Sequence, residues 1–377
     1  MRVIADENMP GVRELFAPLA EVRCLPGRDI RREHLQDADA LLVRSVTTVT
    51  PGLLAGTPVR FVGSATIGTD HIDLDGLAAM GVAVAAAPGC NAQAVAEYVA
   101  AALLALAVEQ DWQPGERCLG VVGLGNVGQA VAALAGALGF RVLGCDPLRD
   151  PALGPAVLRR PLDALLEEAD ILCLHTPLTE DGPHATRHLL GATRLARLRP
   201  GAILLNAGRG AVVDNRALCA LLDARPDVTA VLDVWEDEPR VRPDLLARVR
   251  FGTPHVAGYS VEGKWRGSAM VHAAFCRHFG LSPVPVPTPH WPVPALQLPA
   301  LPVSGRELLA ALFAQVCPLV RDDAALRASL ATPDPARAFD VLRRDYPARY
   351  ECASCHIDEG GAPGHRALLQ GAGFDIG

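Results

Sequence analysis

Lysine is almost absent from this chain: it occurs once, at Lys264, and arginine supplies the rest of the 35 basic residues, which face 42 acidic ones. A formal charge of −7 and an isoelectric point near 5.9 leave no basic footprint for nucleic acid, and no run of like charge marks an interaction tail. No stretch reads as long and apolar enough to span a bilayer, and the first residues, M-R-V-I-A-D-E-N, place acids where a secretory signal would need an apolar core. These absences predict a cytoplasmic protein with neither membrane nor nucleic acid as a partner. A dense cysteine framework is also lacking. Ten cysteines over 377 residues do not resemble a small secreted domain, and in the cytoplasm they are expected to be reduced, most of them small apolar fillers. The run Cys352-Ala-Ser-Cys355-His356 has the spacing of a c-type haem attachment site, but attachment requires export, and a zinc site there would lack a fourth ligand. Coincidence is the expectation, with no metal bound.

Half of the chain is hydrophobic, which excludes disorder, and its length suits two or three domains with a substantial core. The most informative stretch is 118–128, C-L-G-V-V-G-L-G-N-V-G. A short apolar run enters three glycines, Gly123, Gly125 and Gly128, and an alanine- and leucine-rich helical pattern follows at once. The first glycine allows a tight turn, the second lets backbone approach a pyrophosphate, and the third lets helix and strand pack closely. The phosphates would meet free N–H groups at the helix start, on Asn126, Val127 and Gly128. A second apolar run, 140–145, ends in Asp146, where a carboxylate would take the ribose hydroxyls and repel the extra phosphate of NADP. NAD is therefore the expected cofactor.

Short β-rich runs at 2–5, 21–25, 40–44, 59–62 and 82–86 alternate with helical or turn segments, which predicts parallel strands with crossover helices. Ser45 and Thr66 follow two of these runs. Their position alone reads equally as turn capping or as ligand contact, since ligands bind at the carboxyl ends of parallel strands. A helical stretch over 91–109 leads into the nucleotide-binding unit, whose further strands at 171–174, 202–205 and 229–232 each end in polar residues. A helix at 260–279 could return to the first unit. Proline then dominates 283–302 as a stiff linker, and the remaining tail has helical patterns at 306–316 and 335–344.

Arg209, Glu238 and His255 each lie just beyond a strand of the nucleotide unit. Oxidising a hydroxyl needs a base for its proton, and histidine titrates near neutrality. A carboxylate on the far ring nitrogen fixes the tautomer and favours the imidazolium that forms, and arginine can clamp a substrate carboxylate through two parallel hydrogen bonds. The ordered set N-A-G-R-G, D-V-W-E-D-E-P and T-P-H-V-A-G after the glycine loop resembles the D-2-hydroxyacid dehydrogenase family, whose arginine, glutamate and histidine fall on Arg209, Glu238 and His255.

This resemblance implies an α/β fold with two doubly wound parallel-sheet domains. A discontinuous flavodoxin-like substrate domain (1–92 and 258–281) would accompany a Rossmann NAD domain (93–257), followed by a Pro-rich linker (282–302) and a small C-terminal α+β dimerisation domain (303–377). It further implies cofactor contacts at Thr176, Ala207, Gly208, Arg209, Asp233 and Gly258, and substrate contacts at Ser45, Thr66 and Tyr259. Motifs at 43–47, 86–92 and 258–264, with the extra tail, point to members that act on a small phosphorylated 2-hydroxy acid. The family's usual dimerisation arm between the domains has no room within 109–118. A homodimer held by the tail is expected instead, since Leu308, Leu309, Leu312 and Phe313 would be poorly covered by so small a module. Phosphoglycerate or an unphosphorylated acid is the nearest rival substrate, and an NAD-sensing binding protein the rival from another class.

Overall fold

The alternation of β-rich and helical runs resolves, in a computed structural model, into two parallel sheets. The structure describes residues 1–149, 157–283, 285, 289, 291–299, 303–357 and 364–376. Two compact units are present, Met1–Asn91 with Ser260–Pro292, and Ala92–Tyr259 with Val293–Gly377.

In the first unit β1 (Arg2–Asp6), β2 (Glu21–Leu25), β3 (Ala40–Val43), β4 (Phe61–Ser64) and β5 (Ala83–Ala85) form a sheet of order β2-β1-β3-β4-β5, every pair parallel. Every residue of β3 and β4 is buried, which is why they read as continuous apolar runs rather than alternating ones. The helix Val261–Phe279 packs on this sheet, with Ser260 as its cap accepting the Gly263 N–H at 2.9 Å. Contact is close enough that a Cβ on Gly63 would stand 2.4 Å from Val271.

The second unit holds β6 (Cys118–Val122), β7 (Arg141–Cys145), β8 (Leu158–Arg159), β9 (Ile171–Leu174), β10 (Ile203–Asn206), β11 (Thr229–Leu232) and β12 (Phe251–Gly252), in the order β12-β11-β10-β9-β6-β7-β8. The chain runs outward from β6 to β7 and β8, then returns to lay β9 on the other side of β6. That reversal of order beside β6 opens a crevice at the carboxyl ends of β6 and β9, the place where such sheets take ligands.

Two expectations are corrected here. The helix Ala92–Glu109 is, by length and composition alone, apolar enough to cross a membrane. Fourteen of its eighteen residues are buried in its own unit, against the helices Asn126–Ala137 and Gly305–Val316; a helix apolar all round belongs inside a core. The second correction concerns the tail. Leu308, Leu309, Leu312 and Phe313 are at most 3% exposed and share one apolar cluster with that helix, so this chain's own surface covers them and no partner is needed to do so.

The tail also forms the short parallel pair β13 (His356–Ile357) and β14 (Asp375–Ile376). Of the proline-rich stretch, residues 284, 286–288, 290 and 300–302 lie outside the described residues; part of what remains pairs with β13, Leu296 donating to the His356 carbonyl at 3.0 Å. Cys352 and Cys355 are buried and His356 is exposed on β13. Residues 110–117 contain only a turn and one 3-10 turn, Pro114–Glu116.

Candidate active site

The three glycines after β6 do separate work. Gly123 has φ +85°, where a side chain is strained, and a Cβ there would also come within 2.9 Å of the His175 carbonyl and of Thr176. A Cβ on Gly128 would overlap the Gly123 carbonyl oxygen at 1.9 Å, so the helix can sit down on the loop only without one. A Cβ on Gly125 would meet nothing within 4 Å among the described residues beyond its chain neighbours, which leaves this side of the backbone open to an incoming group. Gly125 caps the helix Asn126–Ala137 without a side-chain acceptor, and the first N–H groups of a helix, here on Asn126, Val127 and Gly128, have no intrahelical partner. An anion fits this cradle.

Asp146 follows β7 at once. One of its carboxylate oxygens accepts the Leu124 N–H at 2.9 Å and the other the Leu148 N–H at 3.0 Å, so the acid is fixed against the glycine loop. Across the crevice, β9 ends in His175 and Thr176. His175 is buried, bonded through Nε2 to the Cys173 thiol at 2.9 Å, and burial pushes its pKa down to about 3, so the ring is neutral. The Thr176 hydroxyl oxygen is buried without a hydrogen-bond partner among the described residues. After β10, Asn206 folds the next turn: its Nδ2 donates to the Arg209 carbonyl at 2.9 Å and its Oδ1 accepts the Gly208 N–H at 3.1 Å, presenting Ala207, Gly208 and Arg209 at the strand end. A Cβ on Gly210 would fall 2.0 Å from the Trp235 carbonyl, so this turn packs directly on the segment that carries Glu238.

His255 Nδ1 and Glu238 Oε2 are 2.7 Å apart. The other Glu238 oxygen accepts the Trp235 N–H at 2.8 Å. Burial acts to raise the Glu238 carboxyl, but the His255 ring, Arg343 and the Trp235 amide outweigh it, and the net shift is downward, towards the carboxylate. With Nδ1 committed to Glu238, Nε2 is the ring nitrogen left for a substrate proton.

His255 itself sits at φ +56°, in the left-handed region that few residues other than glycine adopt. Asp233 holds it there. The His255 N–H donates to the Asp233 carbonyl at 2.8 Å, while the Asp233 carboxylate accepts Val256 N–H at 2.8 Å, Ala257 N–H at 2.9 Å and the Thr253 hydroxyl at 2.6 Å. Burial raises the pKa of Asp233 against those donors and the His255 charge. Thr253 in turn meets the Tyr98 hydroxyl at 2.7 Å. The sequence placed Asp233 only as a cofactor contact; its part as the clamp of the turn that carries His255, and the parts of Thr253 and Tyr98, went unread, although the threonine stands inside the T-P-H motif. Gly258 and Tyr259 complete this turn, the Tyr259 N–H donating to Val256 at 2.9 Å.

Arg209, Glu238, His255, Asp233 and Tyr259 thus belong to one unit, as do the glycine loop and Asp146. Ser45 and Thr66 belong to the other, at the carboxyl ends of β3 and β4. Ser45 is exposed, and the Thr66 hydroxyl lies 2.7 Å from Ser64 Oγ and donates to the Gly68 carbonyl at 3.1 Å. In the same unit burial and the nearby Arg44 push Lys264, the single lysine, down to about 8. Among the described residues, a group of potential metal-ligating side chains occurs at His188, Asp214 and Glu236. Glu236 there already joins the His188 ring at 2.5 Å and the Asn215 N–H at 3.1 Å.

A sequence model of the D-isomer specific 2-hydroxyacid dehydrogenase NAD binding domain matches residues 109–257. Erythronate-4-phosphate dehydrogenase of Azotobacter vinelandii is 49% identical over the full length of both chains, and that of Cronobacter sakazakii 48% identical over all of this chain and 98% of its own. Among solved structures, the TT0316 protein of Thermus thermophilus superposes with a TM-score of 0.63 at 29% identity, covering 75% of this chain and 98% of its own. A D-lactate dehydrogenase of Aquifex aeolicus gives 0.62 at 24% identity, over 74% of this chain and 96% of its own, and supports the fold alone. The chain therefore belongs to the D-isomer specific 2-hydroxyacid dehydrogenases, a family of NAD-dependent oxidoreductases, and within it to the erythronate-4-phosphate dehydrogenases.

Proposed function

We propose that this protein oxidises the 2-hydroxyl of 4-phospho-D-erythronate to give (R)-3-hydroxy-2-oxo-4-phosphooxybutanoate, a step of pyridoxine 5′-phosphate biosynthesis. The observation that carries this reading is the His255–Glu238 pair, 2.7 Å apart and in one unit with a glycine loop open at Gly125. His255 takes the hydroxyl proton through Nε2 as the carbon–oxygen double bond forms. The Glu238 carboxylate stabilises the resulting imidazolium and keeps the ring in the required tautomer. Arg209 clamps the substrate carboxylate, which fixes the carbinol carbon beside the base. NAD, when bound, accepts the hydride that leaves this carbon.

The cofactor is held by Gly123, Gly125, Asn126, Val127 and Gly128 at its pyrophosphate and by Asp146 at its ribose. Thr176, Ala207, Gly208, Arg209, Asp233 and Gly258 supply the remaining contacts, and Ser45, Thr66 and Tyr259 contact the substrate. The first unit serves as the substrate domain. The protein acts in the cytoplasm, which suits ten cysteines that form no disulfide among the described residues, and as a homodimer. The C-terminal segment supports the dimer, and not through the buried face of its first helix. Light scattering of the intact chain at micromolar concentration tests this, a monomer contradicting it. The reaction is tested by NADH formation with a panel of phosphorylated and plain 2-hydroxy acids. His255→Ala should abolish turnover while NAD binding persists.

A further inference from the structure

The catalytic turn is braced by residues far outside the nucleotide-binding core, on the C-terminal segment of the same unit. Arg349, 5% exposed, donates to the Ala257 carbonyl at 2.9 Å, and its other amino group reaches the Ala94 carbonyl. Ala257 is the residue whose N–H reaches Asp233. Six residues before Arg349, Arg343 lies on the helix Pro335–Arg344, one turn after Phe339 and on the same face. Its guanidinium carbon stands 5.9 Å from the centre of the Tyr259 ring and 5.9 Å from that of Phe339, within reach of a cation–π contact. Tyr346 meets the Tyr259 ring edge-on at 5.8 Å, and is itself tied down by its hydroxyl donating to Asp322 at 2.7 Å. The Arg343 Nε is buried with no hydrogen-bond partner among the described residues. Burial works against the Glu238 carboxylate, and the charge of Arg343 favours it, as the His255 ring does more strongly.

We propose that Arg343 is a positioning residue of the reaction: it sets the Tyr259 ring for the substrate and brings positive charge to the turn that carries His255, so that the C-terminal segment is part of the catalytic apparatus. The two effects are separable because they use different properties of the side chain. Placing the ring needs the flat guanidinium, whereas favouring the Glu238 carboxylate needs only the charge, which lysine also carries.

The inference rests on the function proposed above, and the two are told apart by assaying the unaltered enzyme first. If it oxidises a different 2-hydroxy acid, that reading fails and the accepted acid replaces 4-phosphoerythronate in the comparison. Full-length Arg343→Gln is expected to raise KM for the acid and to lower kcat, each by about tenfold or more, with the Kd for NAD unchanged. Arg343→Lys is expected to recover kcat to within about threefold of the unaltered enzyme while KM stays raised. Should Arg343→Gln fail to fold, as judged by circular dichroism, the lysine variant carries the test through its split between KM and kcat. Values within about twofold of the unaltered enzyme for both parameters in whichever variant folds would overturn the proposal. So would losses of the same size in Arg343→Gln and Arg343→Lys.

Discussion

Glu238 holds its place by two bonds of different kinds, one to the His255 ring and one to the Trp235 amide. Glu238→Gln keeps an acceptor for the amide and removes the charge that favours imidazolium. The substitution should lower kcat for oxidation by about tenfold or more, and should move the acidic limb of the pH–rate profile to lower pH. An unchanged kcat with an unshifted limb would show that the carboxylate does not act on His255. A second acid behaves in the opposite sense. Glu97 is fully buried, and burial pushes it from 4.5 up to about 7 against the Arg349 charge and the bonds from Gln93 and Cys352. Because its folded value lies above the unfolded one, the folded state binds the extra proton between the two, and stability falls as pH rises through that window. Thermal midpoints of Glu97→Gln and the unaltered protein should diverge from about pH 4.5 to pH 7 in favour of the variant; parallel curves would refute the shift. The Glu238–His255 pair was legible in the sequence because each member stands in a short motif after a strand. Arg343 and Arg349 were not, since nothing local to either marks the turn it reaches, more than eighty residues away in the chain.

The glycine loop shows how far an element can be read before its structure is known. Its three glycines were assigned to turn, approach and packing from spacing alone, and the space around each now separates the three. Gly128→Ala should cost the fold, because its Cβ would overlap the Gly123 carbonyl at 1.9 Å with backbone on both sides. Gly125→Ala has open space in this structure and should leave the thermal midpoint within about 2 °C while weakening NAD binding, where the backbone must approach the pyrophosphate. Equal thermal losses in the two variants would contradict that division of labour. Strands were legible for a related reason: buried on both faces, β3, β4, β6, β9 and β10 appear as unbroken apolar runs. Two-residue strands such as β8, β12, β13 and β14 carry too few side chains to leave any pattern, and none was foreseen.

At the scale of the whole molecule, the sequence misjudged what covers what. The apolar face of helix Gly305–Val316 suggested a partner subunit, yet its cover is the helix Ala92–Glu109, some two hundred residues earlier and itself not counted among stretches long and apolar enough to span a bilayer. Periodicity shows that a face must be buried; it carries no information about which distant surface buries it. Leu312→Ala should therefore cost about 2–5 kcal/mol of stability at every protein concentration, whereas a residue buried only between subunits would show a cost that depends on concentration. For the same reason, truncation after residue 292 should give an unstable chain and not a well-folded monomer. The central claim is that this site transfers hydride from a phosphorylated 2-hydroxy acid to NAD, with Asp146 choosing the cofactor and His255 taking the proton. Its most direct test is the initial rate of 4-phosphoerythronate oxidation by the purified full-length protein, followed with NAD and with NADP, for the unaltered enzyme and for His255→Ala. Turnover is expected to prefer NAD and to be lost with His255; equal rates with NADP would rule out cofactor choice by Asp146, and turnover that survives without the histidine would rule out His255 as the base.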